Sequence, residues 1–297
     1  MWLILAFGSA FLLGFYDVFK KKALHGNAVI PVLFFNTLIS AALFCPFILN
    51  SFDSSLFGGF YYAFDAEDWH VHKYVFVKAI IVLSSWIFGY FAMKHLPLTI
   101  VGPMNATRPI FVLLGAIIFF SERLNVLQWS GVLLALCGIF LLAYSGRSEG
   151  VSFRNKWVIF LFVAVLLGAL SGLYDKYIMQ RINPLFVQAW FNVYQLLLML
   201  PIVLLLWYPK RKHTTPFRWH WAIVLIPLFL SAADFLYFRS LSYDDALISV
   251  VSMVRRGSVL VSFTFGALLF KEKNLKFKML DLLLIAVSMV LLYIGSE

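Results

Sequence analysis

Apolar residues gather into ten long runs along this chain, at approximately 2–20, 30–50, 74–93, 98–120, 126–145, 157–178, 184–207, 220–238, 246–270 and 279–295. Each run is close to the roughly 20 residues that an α-helix needs to cross a hydrocarbon core about 30 Å thick. None alternates apolar with polar positions, as the strands of a membrane barrel would. Backbone groups in lipid must be paired within their own segment, so the runs are predicted to be helices. Most connections are short, such as SERLN and MQRIN, while the longest, residues 51–73, is acidic and aromatic and reads as a surface loop.

Composition agrees with this pattern. Of the 297 residues, 62% are hydrophobic and 13% charged, whereas a soluble domain has about 25% charged residues. The net charge of +10 does not point to nucleic acid, because the basic residues sit in short clusters between apolar runs. Those clusters are Lys20 to Lys22, Arg147 with Arg154 and Lys156, Lys210 to Lys212, and Lys271 to Lys278. They follow odd-numbered runs, so the positive-inside rule places that face in the cytosol and both termini outside. Cys45 and Cys137 lie inside apolar runs and predict neither a disulfide nor a metal site. The start, MWLILAFGSAFLLGFYDVFKKK, has no basic region ahead of its apolar run and reads as a retained first helix.

The chain repeats itself. GFYD at 14–17 answers to GLYD at 172–175, Phe35-Asn36 to Phe191-Asn192, and Pro46 to Pro201. RPIFVLLGAIIFFSERL (108–124) answers to SVLVSFTFGALLFKEKN (258–274), which aligns Glu122 with Glu272. Each copy holds five runs, and five is odd, so the second copy is expected to enter the membrane upside down. The predicted fold is therefore an all-α integral membrane protein of ten transmembrane helices in two inverted five-helix repeats. The repeats span residues 1–146 and 157–297, with a linker at 147–156. In secondary transporters built this way the site lies near the midplane, between the copies.

Residues 92–146 resemble the end of an EamA domain of the drug/metabolite transporter superfamily. The resemblance rests on Pro109, Glu122 thirteen residues later, then Gln128, Gly131 and Gly138. The second half keeps Glu272, but Val259 stands in place of the proline and Lys278 to Asp281 in place of Gln-x-x-Gly. The resemblance implies a secondary transporter in the cell (inner or plasma) membrane, with helices 1–4 and 6–9 around a cavity and helices 5 and 10 outside. It also implies cytosolic termini, against the charge count.

Charges inside the runs mark the candidate site. An ionised side chain at mid-bilayer costs at least roughly 2.5–3.5 kcal/mol on insertion scales, so it faces a partner or a wet cavity. Arg108, Arg255 and Arg256 lie near the middle of their runs, and Asp234 lies well inside its own. Helical spacing puts Asn105 and Arg108 on one face, and Ser249, Ser252 and Arg256 on another. Guanidinium groups grip carboxylate or phosphate through paired hydrogen bonds. An anionic or zwitterionic substrate is therefore expected among Tyr16, Asn105, Arg108, Tyr174, Ser252, Arg255 and Arg256. Asp17 and Asp175 are the candidate proton-coupling acids, since a carboxylate in a low-dielectric cavity can carry a proton. Asp234 is expected to form an intramembrane ion pair with Arg239 or with an arginine of the ninth run.

Other readings fit less well. No His-Glu-x-x-His or Gly-x-Ser-x-Gly is present, so no enzyme is expected. Nor is a cofactor. His70 and His72, near Asp65, Glu67 and Asp68, read as solvated loop rather than metal ligands. A flippase for a lipid or lipid-linked sugar on the same fold is the main alternative, and a scaffold or sensor a remote one. The expected partners are a small-molecule substrate, the lipid bilayer and possible coupling protons, with no nucleic acid, and the chain is expected to act as a monomer.

Overall fold

A computed structural model describes residues 1–24, 26–52, 69–95, 104–105, 107–144, 155–212, 215–258, 260–261, 265 and 275–295. Ten α-helices run through these residues, and no strand occurs among them. They are α1 (Trp2–Leu24), α2 (Val29–Phe52), α3 (Trp69–His95), α4 (Arg108–Phe120), α5 (Val126–Tyr144), α6 (Lys156–Met179), α7 (Pro184–Ile202), α8 (Ala222–Leu241), α9 (Ile248–Arg256) and α10 (Leu275–Ile294). Six of them, α1, α2, α3, α6, α7 and α8, are long and apolar enough to cross a membrane. The described parts of α4 and α9 are shorter than the runs at 98–120 and 246–270. Pro97, Pro103, Val259, Glu272 and the acidic loop residues Asp65, Glu67 and Asp68 lie outside the described residues.

Local sequence sets several helix ends. Asn155 and Asn183 cap α6 and α7, their side-chain oxygens accepting from Trp157 N and Leu185 N at 3.0 and 2.9 Å. Pro184 follows as the first residue of α7, where its missing N–H costs nothing. Farther on, Pro201 interrupts α7, and the chain widens into a π-helix over Val203–Trp207, with Tyr208 N donating to Val203 O at 2.9 Å. One boundary differs from expectation. Helix α3 starts at Trp69, which takes His70 and His72 out of the loop. His72 packs edge-on against Phe186 and Trp190, with its Nδ1 2.9 Å from the Tyr194 hydroxyl.

The helices pack in crossed partnerships between the two halves. Helix α1 lies along α8 and α3 along α6. Helix α2 packs on α7, α5 on α10, and α4 on both α6 and α9, while α9 also meets α1. Exchanging α1–α5 with α6–α10 in order returns the same principal pairings. Aromatic rings fill the α1–α8 seam, where Phe229 stacks on Phe15 and Phe19 at 5.4 and 5.3 Å. The outward faces stay apolar, with Ile118, Phe119 and Leu205 each more than two-thirds exposed. A patch of this character on so many helices fits lipid rather than water.

One contact ties α4 to the start of α9. Ser121 ends α4 with a left-handed backbone, φ 53°, which turns Glu122 inward. Its Oε1 accepts from Ile248 N at 2.7 Å, and its Oε2 from Ser249 N and the Ser249 hydroxyl. Leu247 has no side chain able to cap α9, so this carboxylate from the other half satisfies the free donors of its first turn.

The two Gly-x-Tyr-Asp motifs differ in what their glycines touch. A Cβ on Gly14 would strike the Val261 side chain and come within 2.9 Å of Ser258 O, so α1 and the chain after α9 approach there only because the side chain is missing. A Cβ on Gly172 would meet nothing nearer than 3.8 Å. Gly14→Ala is therefore expected to destabilise the bundle by about 1–3 kcal/mol through overpacking. Gly172→Ala should be neutral or slightly stabilising, since alanine is the better helix former by about 1 kcal/mol. Thermal unfolding of the two variants in detergent checks this, and equal midpoints would contradict it.

Candidate functional site

Seven helices, with Asn105 ahead of α4 and Ser258 after α9, line a cavity of ≈ 450 Å³. Helix α1 supplies Tyr16, Asp17 and Lys20; α3 supplies Lys78; and Asn105 leads into Arg108 at the start of α4. Helix α6 supplies Asp175, α8 supplies Asp234 and Tyr237, and the end of α9 supplies Ser252, Arg255 and Arg256. Volumes of about 300–1,000 Å³ are usual for sites that hold small molecules. The lining runs from Lys20, Asn105 and Leu161, near one set of helix ends, to Ile248 at the first residue of α9. Beyond Ile248 lie the Glu122 contacts described above. Beside them the buried Lys176 ammonium donates to Tyr243 O at 3.0 Å and Leu241 O at 3.5 Å.

Five cationic side chains and three acidic ones line this cavity, a surplus of two positive charges among the described residues. Two acids are committed. Asp175 and Lys78 form an ion pair between α6 and α3, with both residues almost fully buried. The Lys78 ammonium also sits over the rings of Phe191 and Phe238, 4.6 and 4.5 Å from their centroids. Asp234 accepts from Arg255 Nη2 at 2.9 Å, and the Arg255 guanidinium lies 3.9 Å from the centre of the Tyr237 ring. Asp17 is within electrostatic range of Lys20, Arg255 and Arg256.

Arg108 and Arg256 have no ion-pair partner within salt-bridge distance among the described residues, and the buried Arg108 Nε has no hydrogen-bond partner. Arg108, Arg255 and Arg256 lie close enough for mutual repulsion. Room for Arg108 comes from Gly168 on α6, where any Cβ would fall on the guanidinium. Guanidinium groups gathered in a cavity and short of acidic partners are poised for an anion, above all one with a planar or tetrahedral oxoacid group.

The structure brings together Tyr16, Asp17, Asn105, Arg108, Asp175, Asp234, Ser252, Arg255 and Arg256. Two expected residues fall elsewhere. Tyr174 turns toward α3, its hydroxyl donating to Tyr74 O at 3.1 Å and its ring stacking with Tyr177, so Asp175 alone of this pair reaches the cavity. Arg239 does not pair with Asp234. Five residues along a helix is about 140° of rotation, which leaves Arg239 exposed beside Tyr243, and Arg255 takes the acid instead. Lys20, Lys78 and Tyr237 are among the lining residues that were not expected. For Lys78 a signal existed, since a lysine within an apolar run calls for a partner.

Residues 1–144 and 155–294 each match the family model of the EamA-like transporter family. A solved crystal structure is similar over 98% of this chain and 95% of its own, at 16% identity and a TM-score of 0.73, a likeness of fold alone. Among curated proteins, none matches.

The Lys78–Asp175 pair generates a test. Removing one partner of a buried pair leaves an uncompensated charge, at a cost of about 3–5 kcal/mol, whereas replacing both with apolar residues costs far less. Lys78→Met and Asp175→Leu are each expected to lower the unfolding midpoint strongly, and the double variant to recover most of the loss. A double variant as unstable as the sum of the singles would contradict the pairing.

Proposed function

The chain belongs to the EamA-like transporter family of the drug/metabolite transporter superfamily, and on that premise we propose that it is a secondary transporter for a small anionic or zwitterionic metabolite. As a multi-pass membrane transporter it works on a small molecule within a lipid bilayer. The observation that carries the substrate reading is the cavity of ≈ 450 Å³ with two surplus positive charges, into which Arg108 and Arg256 face without an ion-pair partner among the described residues. Arg108, Arg255 and Arg256 grip the anionic group, Asn105, Ser252 and Tyr16 add hydrogen bonds, and Asp17 receives the ammonium end of a zwitterion.

Transport proceeds by alternating access between two inverted five-helix repeats, residues 1–146 and 157–297, joined by the linker 147–156. The return of the same helix pairings on exchange of the halves supports this division. The described state is closed where Glu122 holds Ile248 and Ser249, and its cavity extends toward the opposite helix ends. The chain acts as a monomer in the cell membrane, and Asp17 carries the coupling proton. Asp175, bonded to Lys78, is less available for that role. A lipid or lipid-linked sugar is the second reading, because a phosphate headgroup suits the same arginines.

Reconstituted vesicles separate these readings. Arg108→Gln and Arg256→Gln are each expected to lower uptake of a water-soluble anion by about 10–100-fold, the loss of one charge-assisted hydrogen bond of roughly 1.5–3 kcal/mol. Unchanged uptake in Arg108→Gln, Arg255→Gln and Arg256→Gln alike would end the substrate reading. Movement of a labelled lipid between leaflets, without solute uptake, would favour the flippase. Asp17→Asn is expected to make uptake insensitive to a pH gradient, and wild-type uptake that ignores the gradient would remove proton coupling.

A further inference from the structure

A second, much smaller pocket lies beside the main cavity, where α2, α7 and α8 meet. Its volume is ≈ 10 Å³, close to the least that admits a single water-sized occupant. Asn36 and Ser40 of α2, Gln188 and Gln195 of α7, and Ser231 and Asp234 of α8 line it. Asn36, Gln188 and Gln195 are at least 96% buried, and each has an amide oxygen without a hydrogen-bond partner. For the two glutamines the orientation is fixed by the other end of the amide. Gln188 Nε2 donates to Ser231 O at 2.7 Å and Gln195 Nε2 to Ala79 O at 3.3 Å, so a flip would set oxygen against oxygen.

Every buried side-chain atom left unpartnered in this pocket is an acceptor. One water has two hydrogens to give. It cannot serve three amide oxygens and a carboxylate at once, whereas a small hard cation takes oxygen ligands of this kind from all sides. We propose that Asn36, Gln188, Gln195, Ser40, Ser231 and Asp234 form a sodium-binding site whose carboxylate is shared with the main cavity. The pocket has no room for an organic cation or for an ion that keeps its water shell.

Sharing of Asp234 supplies a coupling step, and this step rests on the reading of the main cavity as an anion site. Arg255 bonds Asp234 Oδ1, and no hydrogen bond among the described residues engages the second carboxylate oxygen. A sodium ion at that carboxylate competes with Arg255 for one negative charge. Its arrival loosens the Arg255–Asp234 pair and frees the guanidinium for substrate. By linkage, anion and sodium then bind better together than apart.

Equilibrium binding of ²²Na⁺ to the purified full chain in detergent tests the site without any substrate, with ionic strength held constant by choline chloride. One saturable ion per chain is expected. Asn36→Leu and the smaller change Ser231→Ala should each weaken binding at least tenfold, while Arg108→Gln keeps it. Absence of saturable binding, or full binding in a folded Ser231→Ala variant, overturns the proposal and assigns the pocket to water, leaving the anion reading untouched. In vesicles, removing sodium should lower anion uptake at least tenfold. Sodium binding without that effect would overturn the shared role of Asp234, and loss of uptake in the arginine variants alone would not bear on it.

Discussion

An ionised side chain moved from water into a helix bundle loses several kcal/mol of hydration, and only a partner charge, hydrogen bonds or a wetted cavity offsets that loss. This constraint organises the interior of the chain. The lipid-facing sides are apolar, so intramembrane charges gather between helices. Lys78 and Asp175 meet across the α3–α6 seam, with the Lys78 ammonium further held by two aromatic rings. Arg255 and Asp234 meet between α9 and α8. The positive charge left after these pairings requires the space around it to stay accessible to water or to an anion. In that sense the cavity is where the charges could not all be paired.

The same constraint makes the two ends of the bundle unequal. At one end, Glu122 reaches the first N–H groups of α9 and Lys176 reaches the last carbonyls around α8. Each charge there satisfies backbone groups that would otherwise be buried without partners, so the helices are tied at that end by bonds that belong to helix termini. Arg255 and Arg256 ride in the last turn of the helix whose first turn Glu122 holds. Helix α9 has only nine residues in its regular part, about 14 Å, which places the Glu122 contacts and the cavity arginines on one short element. A shift of the Glu122 contacts would therefore be carried to the arginines as well.

Helix identity was legible in the sequence because run length and apolar content are local properties. So was the list of intramembrane charges, most of which share one cavity. Their partners were legible only in part. Lys78 and Asp175 lie 97 residues apart, and nothing local to either names the other. Asp234 had two choices, Arg239 nearby and an arginine of the ninth run; the helix rotates Arg239 away, and Arg255 of the ninth run is the partner. Tyr174 was placed on the cavity by analogy with Tyr16, although the two glycines ahead of them sit in different surroundings, one against the backbone beyond α9 and one in open packing. His72 was assigned to a loop because α3 begins in a polar stretch that hydropathy alone scores as outside the membrane. The polar pocket between α2, α7 and α8 had a trace in the repeat, Phe35-Asn36 against Phe191-Asn192, but the role of buried amides depends on which end of each is bonded, and only coordinates carry that.

The two halves pack alike but carry unequal charges. By order along the chain α3 corresponds to α8, yet α3 brings a lysine to the cavity and α8 an acid. The α3–α6 crossing is thereby fastened by an ion pair. The corresponding α8–α1 crossing brings two acids, Asp234 and Asp17, into a region governed by Arg255 and Arg256. Two carboxylates near shared arginines respond to whatever else arrives, whether a proton, a metal cation or the anionic group of a substrate, because each arrival changes which guanidinium is left over. A fastened seam on one side and a responsive one on the other allows small ligands to bias the packing of α1, α8 and α9, and a ligand shifts such an equilibrium only by its differential affinity for the two packings. The aromatic stacks of Phe15, Phe19 and Phe229 give that seam broad apolar contact, which unlike an ion pair has no strict geometry to keep.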